Sequence, residues 1–327
     1  MIRDGILFHN VQSIAEDGTL VRIPESIRQE LSPGGQNTAK YATGVELRFV
    51  MPHGPVRILL RAEPAAEAQV AYLMYGGFQS SWQNSSKLIY THDTGLTIEY
   101  PDNLERLCAL APTLHSGFDP RVVRILLPYC PIHYLGVIGQ VQPPTVEQMP
   151  QQCYLAYGSS ITHGSLGLTP LSSYPFMTAQ QLGVDMLDLG FAGSAWLEAA
   201  VAEHIVARQD WHFATFEFGV NMLGADTALF KQRVAAFVAI LQRDPRPKLI
   251  TDIFTEGFAT NDKVAAFRKI VKEAVKAPLV YVPGTELLPG IDGLSADLVH
   301  PSLQGHIQIA QRLSDRLRGM VKITNIA

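Results

Sequence analysis

From residue 153 onward, short apolar runs alternate with longer stretches whose apolar residues recur at helical spacing. This alternation is the tightest constraint on what the chain can fold into. The runs at 153–157, 186–189, 213–218, 249–254 and 279–282 are too short for helices and read as buried strands. Between them, 175–182 reads as a helix stopped by Gly183, and 197–208 as an alanine-favoured helix. In 229–241 the residues Phe230, Val234, Phe237, Val238 and Leu241 fall on one helical face. Further helices are expected over 264–275 and 304–317. Strands separated by helices imply a parallel sheet covered on both faces, an α/β architecture.

The earlier part has a different period. Val45, Leu47 and Phe49 alternate with Glu46, Arg48 and Val50, the pattern of a half-buried strand. Further short strands are expected at 56–62, 70–75, 96–100, 122–127 and 134–141. Gly, Pro, Asn and Asp separate them, as in Pro52-His53-Gly54-Pro55 and His92-Asp93-Thr94-Gly95. Many short strands at this spacing predict an antiparallel sandwich or jelly roll. A short helix is expected at 25–31, stopped by Pro33-Gly34-Gly35. Prolines 143, 144 and 150 can continue neither a helix nor a central strand. The expected boundary falls there, giving a β domain over 1–145 and an α/β domain over 146–327, and 327 residues suit two domains.

Composition narrows the function. The formal net charge is −4, with no basic run, which argues against a nucleic-acid partner. No apolar run approaches the roughly 20 residues needed to span a bilayer. The N-terminal residues lack a long apolar stretch, so no signal peptide is expected. Cys108, Cys130 and Cys153 are an odd and sparse set without paired spacing, unlike a disulfide framework. They read as small hydrophobes in a reducing, cytoplasmic compartment. No His/Cys cluster has metal-ligand spacing, and no glycine-rich nucleotide motif occurs, so neither metal nor nucleotide cofactor is expected.

The first run of the α/β part passes from apolar Cys153-Tyr154-Leu155-Ala156-Tyr157 to Gly158-Ser159-Ser160-Ile161-Thr162-His163-Gly164. Such folds place ligands where a strand ends in a tight turn, and small residues allow close backbone approach there. Ser160 is the candidate nucleophile. A serine hydroxyl needs a base, a group to orient the base and donors for an oxyanion. His300 and Asp297, three residues apart, are the candidate base and orienting acid. Gly193 and Asn221, each after a strand-like run, are candidate donors beside the Ser160 N–H. Each has a plainer reading: Asp297 as a helix cap, Gly193 as a tight turn, Asn221 as an Asx turn. Ser159, His163, Trp196 and Glu256 are candidate substrate contacts. The competing reading puts His163, His204, His212 and His306 on the surface or a helix face, and Trp196 in the core. Tyr75, Phe78 and Trp82 either line a binding surface or fill the sandwich.

Together these blocks resemble the SGNH, or GDSL-type, hydrolase superfamily. Gly158-Ser159-Ser160-Ile161-Thr162 matches its Gly-Asp-Ser block, with Ser159 in place of Asp. Gly219-Val220-Asn221 matches Gly-x-Asn-Asp, with Met222 where Asp is usual. Asp297, His300 and Pro301 complete Asp-x-x-His-Pro. The resemblance covers about the last 180 residues and implies a flavodoxin-like α/β/α sandwich with a Ser-His-Asp esterase mechanism needing no cofactor. Two-domain members with an N-terminal β-sandwich often deacylate carbohydrates. The resemblance therefore implies a small-molecule or carbohydrate ester substrate with a short acyl group, acetylated sugars among them. The alternatives are an acyltransferase using the same triad and a carbohydrate-binding protein that has lost catalysis.

Overall fold

The computed structural model describes residues 1–63, 68–113, 116–259 and 261–323; the last four residues of the expected second domain lie outside them. Among the described residues the early part holds, besides a two-stranded antiparallel sheet of Ser13–Ile14 with Leu20–Val21, two larger antiparallel sheets. The larger is seven-stranded and runs Ile2–Arg3, Ile6–His9, Glu46–Phe49, Val123–Leu126, Ala68–Tyr75, Phe78–Gln79, with Ser86–Tyr90 also on Ala68–Tyr75. The smaller places Val56–Ala62 between Thr94–Ile98 and Ile132–Ile138. In Val56–Ala62 alternate residues Val56, Ile58, Leu60 and Ala62 are buried. They share one core with Phe8, Leu47, Phe49, Leu73 and Ile125 of the larger sheet. Two sheets over one core make the expected sandwich.

Several expectations need adjusting. The helix expected at 25–31 covers only Glu25–Arg28. Pro33 does not end helical structure but begins a second helix, Pro33–Thr38, whose cap is Ser32. Proline suits the first helical turn because its missing N–H would have no partner there. The strands Ile6–His9 and Ser86–Tyr90 and the helix Leu104–Leu110 were not expected. Tyr75 is core, whereas Trp82 stands 87% exposed.

The later part is a single parallel sheet of five strands: β1 (Cys153–Gly158), β2 (Asp185–Gly190), β3 (Phe213–Glu217), β4 (Lys248–Thr251) and β5 (Val280–Val282). Their order is β2-β1-β3-β4-β5. β1, central and paired in register with both neighbours, is buried at every position. Right-handed crossovers fix the helices. The step from β1 to β2 runs opposite to all later steps, so Tyr174–Leu182 lies on one face with the closing helix Leu303–Met320 packed on it. Ala199–Ala207, Thr227–Leu241 and Asn261–Ala274 pack in a row on the other. The helix expected from 197 begins at Ala199, because Leu197 has φ +54° and cannot be helical. The architecture is the α/β/α sandwich of flavodoxin type that the alternation of runs implied, preceded by a β-rich region.

The two parts meet over a buried polar seam. Arg48 forks onto both carboxylate oxygens of Asp185 at 2.6 Å, and Arg124 onto Glu46 at 2.6 and 2.7 Å. Burial pulls the Glu46 pKa up, but Arg124 and Arg48 overcome it and hold the group well below the carboxylate range. Arg22, fully buried, donates to the Asp188 carbonyl at 3.0 Å and the Gly190 carbonyl at 3.1 Å.

Candidate active site

In this strand order the chain reverses direction across the sheet between β1 and β3, and the carboxyl ends of the strands there open a crevice. Ser160 leaves β1, Gly193 follows β2 and Asn221 follows β3. The topology therefore gathers at one edge three residues spread over 61 positions (221 − 160).

The turn carrying Ser160 is tightly built. Ser159 caps the short helix Ser160–His163: its Oγ accepts from the Ile161 N–H at 3.1 Å, and its own N–H donates to Glu217 Oε2 at 2.7 Å. Thr162 Oγ1 donates to the same Glu217 oxygen at 3.1 Å. A Cβ on Gly158 would lie 2.1 Å from Thr162 Oγ1 and 2.5 Å from Glu217 Oε2, so only glycine fits. Gly164, at φ +98°, ends the helix.

Ser160 Oγ lies 2.7 Å from His300 Nε2, although 140 residues separate them. His300 Nδ1 lies 2.6 Å from Asp297 Oδ2. A carboxylate only accepts, so Nδ1 carries the proton and Nε2 is free to accept from the serine hydroxyl. Asp297 Oδ1 also accepts from the Ser295 hydroxyl at 2.7 Å and from the Val299 and His300 N–H groups, both at 2.9 Å. Partial burial raises the Asp297 pKa, but the His300 N–H, the Ser295 hydroxyl, the Val299 N–H and the His300 ring outweigh it, leaving the group well below the carboxylate range. The turn is closed by the Ser295 N–H to the His300 carbonyl at 2.8 Å. Leu298, in the left-handed region at φ +58°, receives the Gly257 N–H on its carbonyl at 2.8 Å. The capping reading of Asp297 holds in one respect, since it ties up two backbone N–H groups, but it does so while oriented on the imidazole.

Asn221 Oδ1 accepts from the Ala195 N–H at 3.0 Å, which ties the β3 loop to the β2 loop and fixes the amide. Gly193 sits two residues earlier at φ +69°, with open space where a Cβ would be. Met222, at the usual Asp position, is fully buried.

The other candidates divide. Ser159 is 1% exposed and its side chain is spent on capping. His163, 4% exposed, turns into the protein, where its Nδ1 lies 2.7 Å from Thr43 Oγ1. Burial, then the Arg22 charge, push its pKa down to about 3. Both side chains are buried, and His163 is no surface residue. His306 is also core: it accepts the Tyr174 N–H at 3.2 Å and lies 3.0 Å from the Ser165 carbonyl, and burial takes it down to about 4. His204 is on its helix but buried, while His212 is exposed as expected. Glu256 caps its own loop through the Phe258 and Ala259 N–H groups, beside the Asp297–His300 turn. Trp196, half-buried, lines an open groove with Leu31, Ser32, Glu198 and Arg233. Sequence reasoning missed Glu217, the last residue of an apolar strand, and Ser295; only its place two residues before Asp297 hints at the latter.

Comparison with known proteins agrees with this fold. Residues 156–307 match the model of the GDSL-like lipase/acylhydrolase family. No curated protein matches the sequence. Among solved structures, the salicylyl-acyltransferase SsfX3 from a tetracycline biosynthetic pathway superposes with TM-score 0.74 at 17% identity, over 98% of this chain and 96% of that one. A family two carbohydrate esterase from Clostridium thermocellum in complex with cellohexaose gives TM-score 0.59 at 14% identity, over 84% and 91%. The acetyl xylan esterase Est2A from Butyrivibrio proteoclasticus gives 0.57 at 13%, over 96% and 98%. At such identities the superpositions speak for the fold, while the family model speaks for the domain. The chain thus carries a GDSL-like lipase/acylhydrolase domain over residues 156–307, behind a β-rich region.

Proposed function

We propose that this chain cleaves short-chain acyl esters by serine nucleophilic catalysis, with Ser160, His300 and Asp297 as the triad. The observation that carries the reading is the unbroken relay from Ser160 Oγ to His300 Nε2 at 2.7 Å and from His300 Nδ1 to Asp297 at 2.6 Å. Ser160 Oγ attacks the ester carbonyl while His300 Nε2 takes its proton. Nε2 then protonates the departing alcohol, leaving an acyl-serine. Water, deprotonated by the same nitrogen, releases the acid. Asp297 holds the ring in one tautomer and offsets the charge of the imidazolium. The Ser160 N–H, the Gly193 N–H and the Asn221 amide are the donors to the oxyanion.

Acetylated carbohydrates are the favoured substrates within this class. Of the superposed proteins one is named a carbohydrate esterase and another an acetyl xylan esterase, and Trp196 lines a groove with Glu198 and Arg233. Free Cys108, Cys130 and Cys153 suit a reducing compartment, and we place the division between the two parts at 142–150. Among the described residues no helix is long and apolar enough to cross a membrane. The test is hydrolysis of chromogenic esters of increasing acyl length by the parent chain and Ser160→Ala. Hydrolysis by the variant at the parent rate would end the proposal.

The second reading, an acyltransferase, draws on the salicylyl-acyltransferase that superposes along nearly the whole chain. The triad serves either reaction, because an alcohol can replace water at the acyl-serine. Product analysis with added acceptor separates them: transfer outrunning hydrolysis at low acceptor concentration favours this reading. A binding protein without catalysis is disfavoured by the intact relay.

A further inference from the structure

The β-rich part touches two of the three loops proposed to supply oxyanion donors. Thr43, fully buried, stands 2.7 Å from His163 Nδ1, on the short helix that begins with Ser160. The His163 backbone packs on Gly190, where a Cβ would lie 2.3 Å from the His163 nitrogen, and Arg22 donates to the Gly190 carbonyl at 3.1 Å. Tyr129 packs its ring 4.4 Å from His163 and fills the space beside Gly164, where a Cβ would lie 2.2 Å from its hydroxyl. Further along the same edge, Thr38 Oγ1 lies 3.0 Å from the hydroxyl of Ser194, the residue after Gly193.

We propose that the β-rich part is a built-in brace for the oxyanion site, with Thr43 as its positioning residue. The claim rests on the serine-esterase reading above. The physical argument concerns what fixes the Ser160 N–H. A four-residue helix does not hold its own orientation. This one is clamped from below by Glu217 through Ser159 and Thr162, and at its far end by Thr43 through His163. The His163 ring is neutral, so one ring nitrogen accepts and the other donates. With Nδ1 accepting the Thr43 hydroxyl, Nε2 carries the proton. One threonine from the β-rich part thus fixes the ring at the far end of the Ser160 helix, whose backbone packs on the end of β2, from which the Gly193 loop departs. Small misplacement of oxyanion donors costs rate in the transition state and little in substrate binding.

The experiment is steady-state kinetics on a chromogenic acetyl ester with the full chain, Thr43→Val and Thr43→Ser, alongside Ser160→Ala. Expected for Thr43→Val is a fall in kcat of about ten-fold with KM within about two-fold, and an equal slowing of fluorophosphonate labelling. Thr43→Ser, which keeps the hydroxyl, should recover most of kcat. A Thr43→Val enzyme at the parent kcat overturns the brace, and so does a loss that Thr43→Ser does not repair. Should Thr43→Val fail to fold, Thr38→Val tests the same brace at Ser194 under the same criteria. Ser160→Ala keeps the two readings apart: an active Ser160→Ala removes the triad, whereas an inactive Ser160→Ala with a normal Thr43→Val removes only the brace.

Discussion

Single residues at the proposed site divide charge, orientation and proton position between them. Asp297→Asn keeps the shape but lets the ring reverse its tautomer, and kcat should fall by about 10⁴-fold. Asn221→Ala removes one oxyanion donor and should lower kcat by about 10²–10³-fold, with KM little changed. Both are read from initial rates on one ester. Buried histidines give a different test. His306 falls to about 4 because burial disfavours its charged form, against about 6.5 in an unfolded chain. Between those pH values the unfolded state holds a proton there that the native state lacks, so this group makes stability rise with pH and is lost as pH falls. Asp188, which burial pushes up to about 7, works in the opposite sense, keeping its proton in the folded state. In His306→Gln the slope of unfolding free energy against pH over 4–6.5 should therefore drop, by up to about 1.4 kcal/mol per pH unit, in urea titrations. Equal slopes in parent and variant would show that His306 is not held neutral. His300 and Asp297 were legible because their spacing alone marks them. His163 and His306 were not, because their partners Thr43 and Ser165 lie 120 and 141 residues away, and only tertiary structure decides which histidines burial reaches.

At the scale of elements, the turn after β1 is where sequence and structure agree most closely. Gly158 is forced by the crowding of Thr162 and Glu217, so Gly158→Ala should destabilise the protein by about 1–3 kcal/mol and displace the nucleophile. Urea midpoints and ester hydrolysis report the two effects independently. A variant with both at parent values would mean that the turn is looser than drawn. Strands that are buried throughout and carry no charged residue, such as Cys153–Gly158, were legible because a strand buried on both faces has no polar alternation to obscure it. Edge elements were harder. Ile6–His9 is defined by pairing with Glu46–Phe49, which no local pattern encodes. Ser86–Tyr90 buries only Ile89. Pro33 misleads if read only as a breaker, since Ser32 before it makes it a helix start.

For the molecule as a whole, the parallel sheet carries Ser160 at its carboxyl edge and the β-rich part packs on it through the buried seam. Glu46 is the anion shared by Arg48 and Arg124. Glu46→Ala leaves a buried guanidinium short of its partner and should cost about 3–5 kcal/mol, read as a lower urea midpoint. A loss below about 1 kcal/mol would mean that water reaches the seam and replaces the carboxylate. The central claim is that one serine, among all those in the chain, is made nucleophilic by the relay to His300. Its most direct test is reaction with a fluorophosphonate followed by mass mapping of the adduct, with ester hydrolysis followed in parallel. The account predicts one adduct, on Ser160, forming at the rate at which hydrolysis is lost and absent from Ser160→Ala. Hydrolysis that persists in a fully labelled protein, or an adduct on another serine, would contradict it.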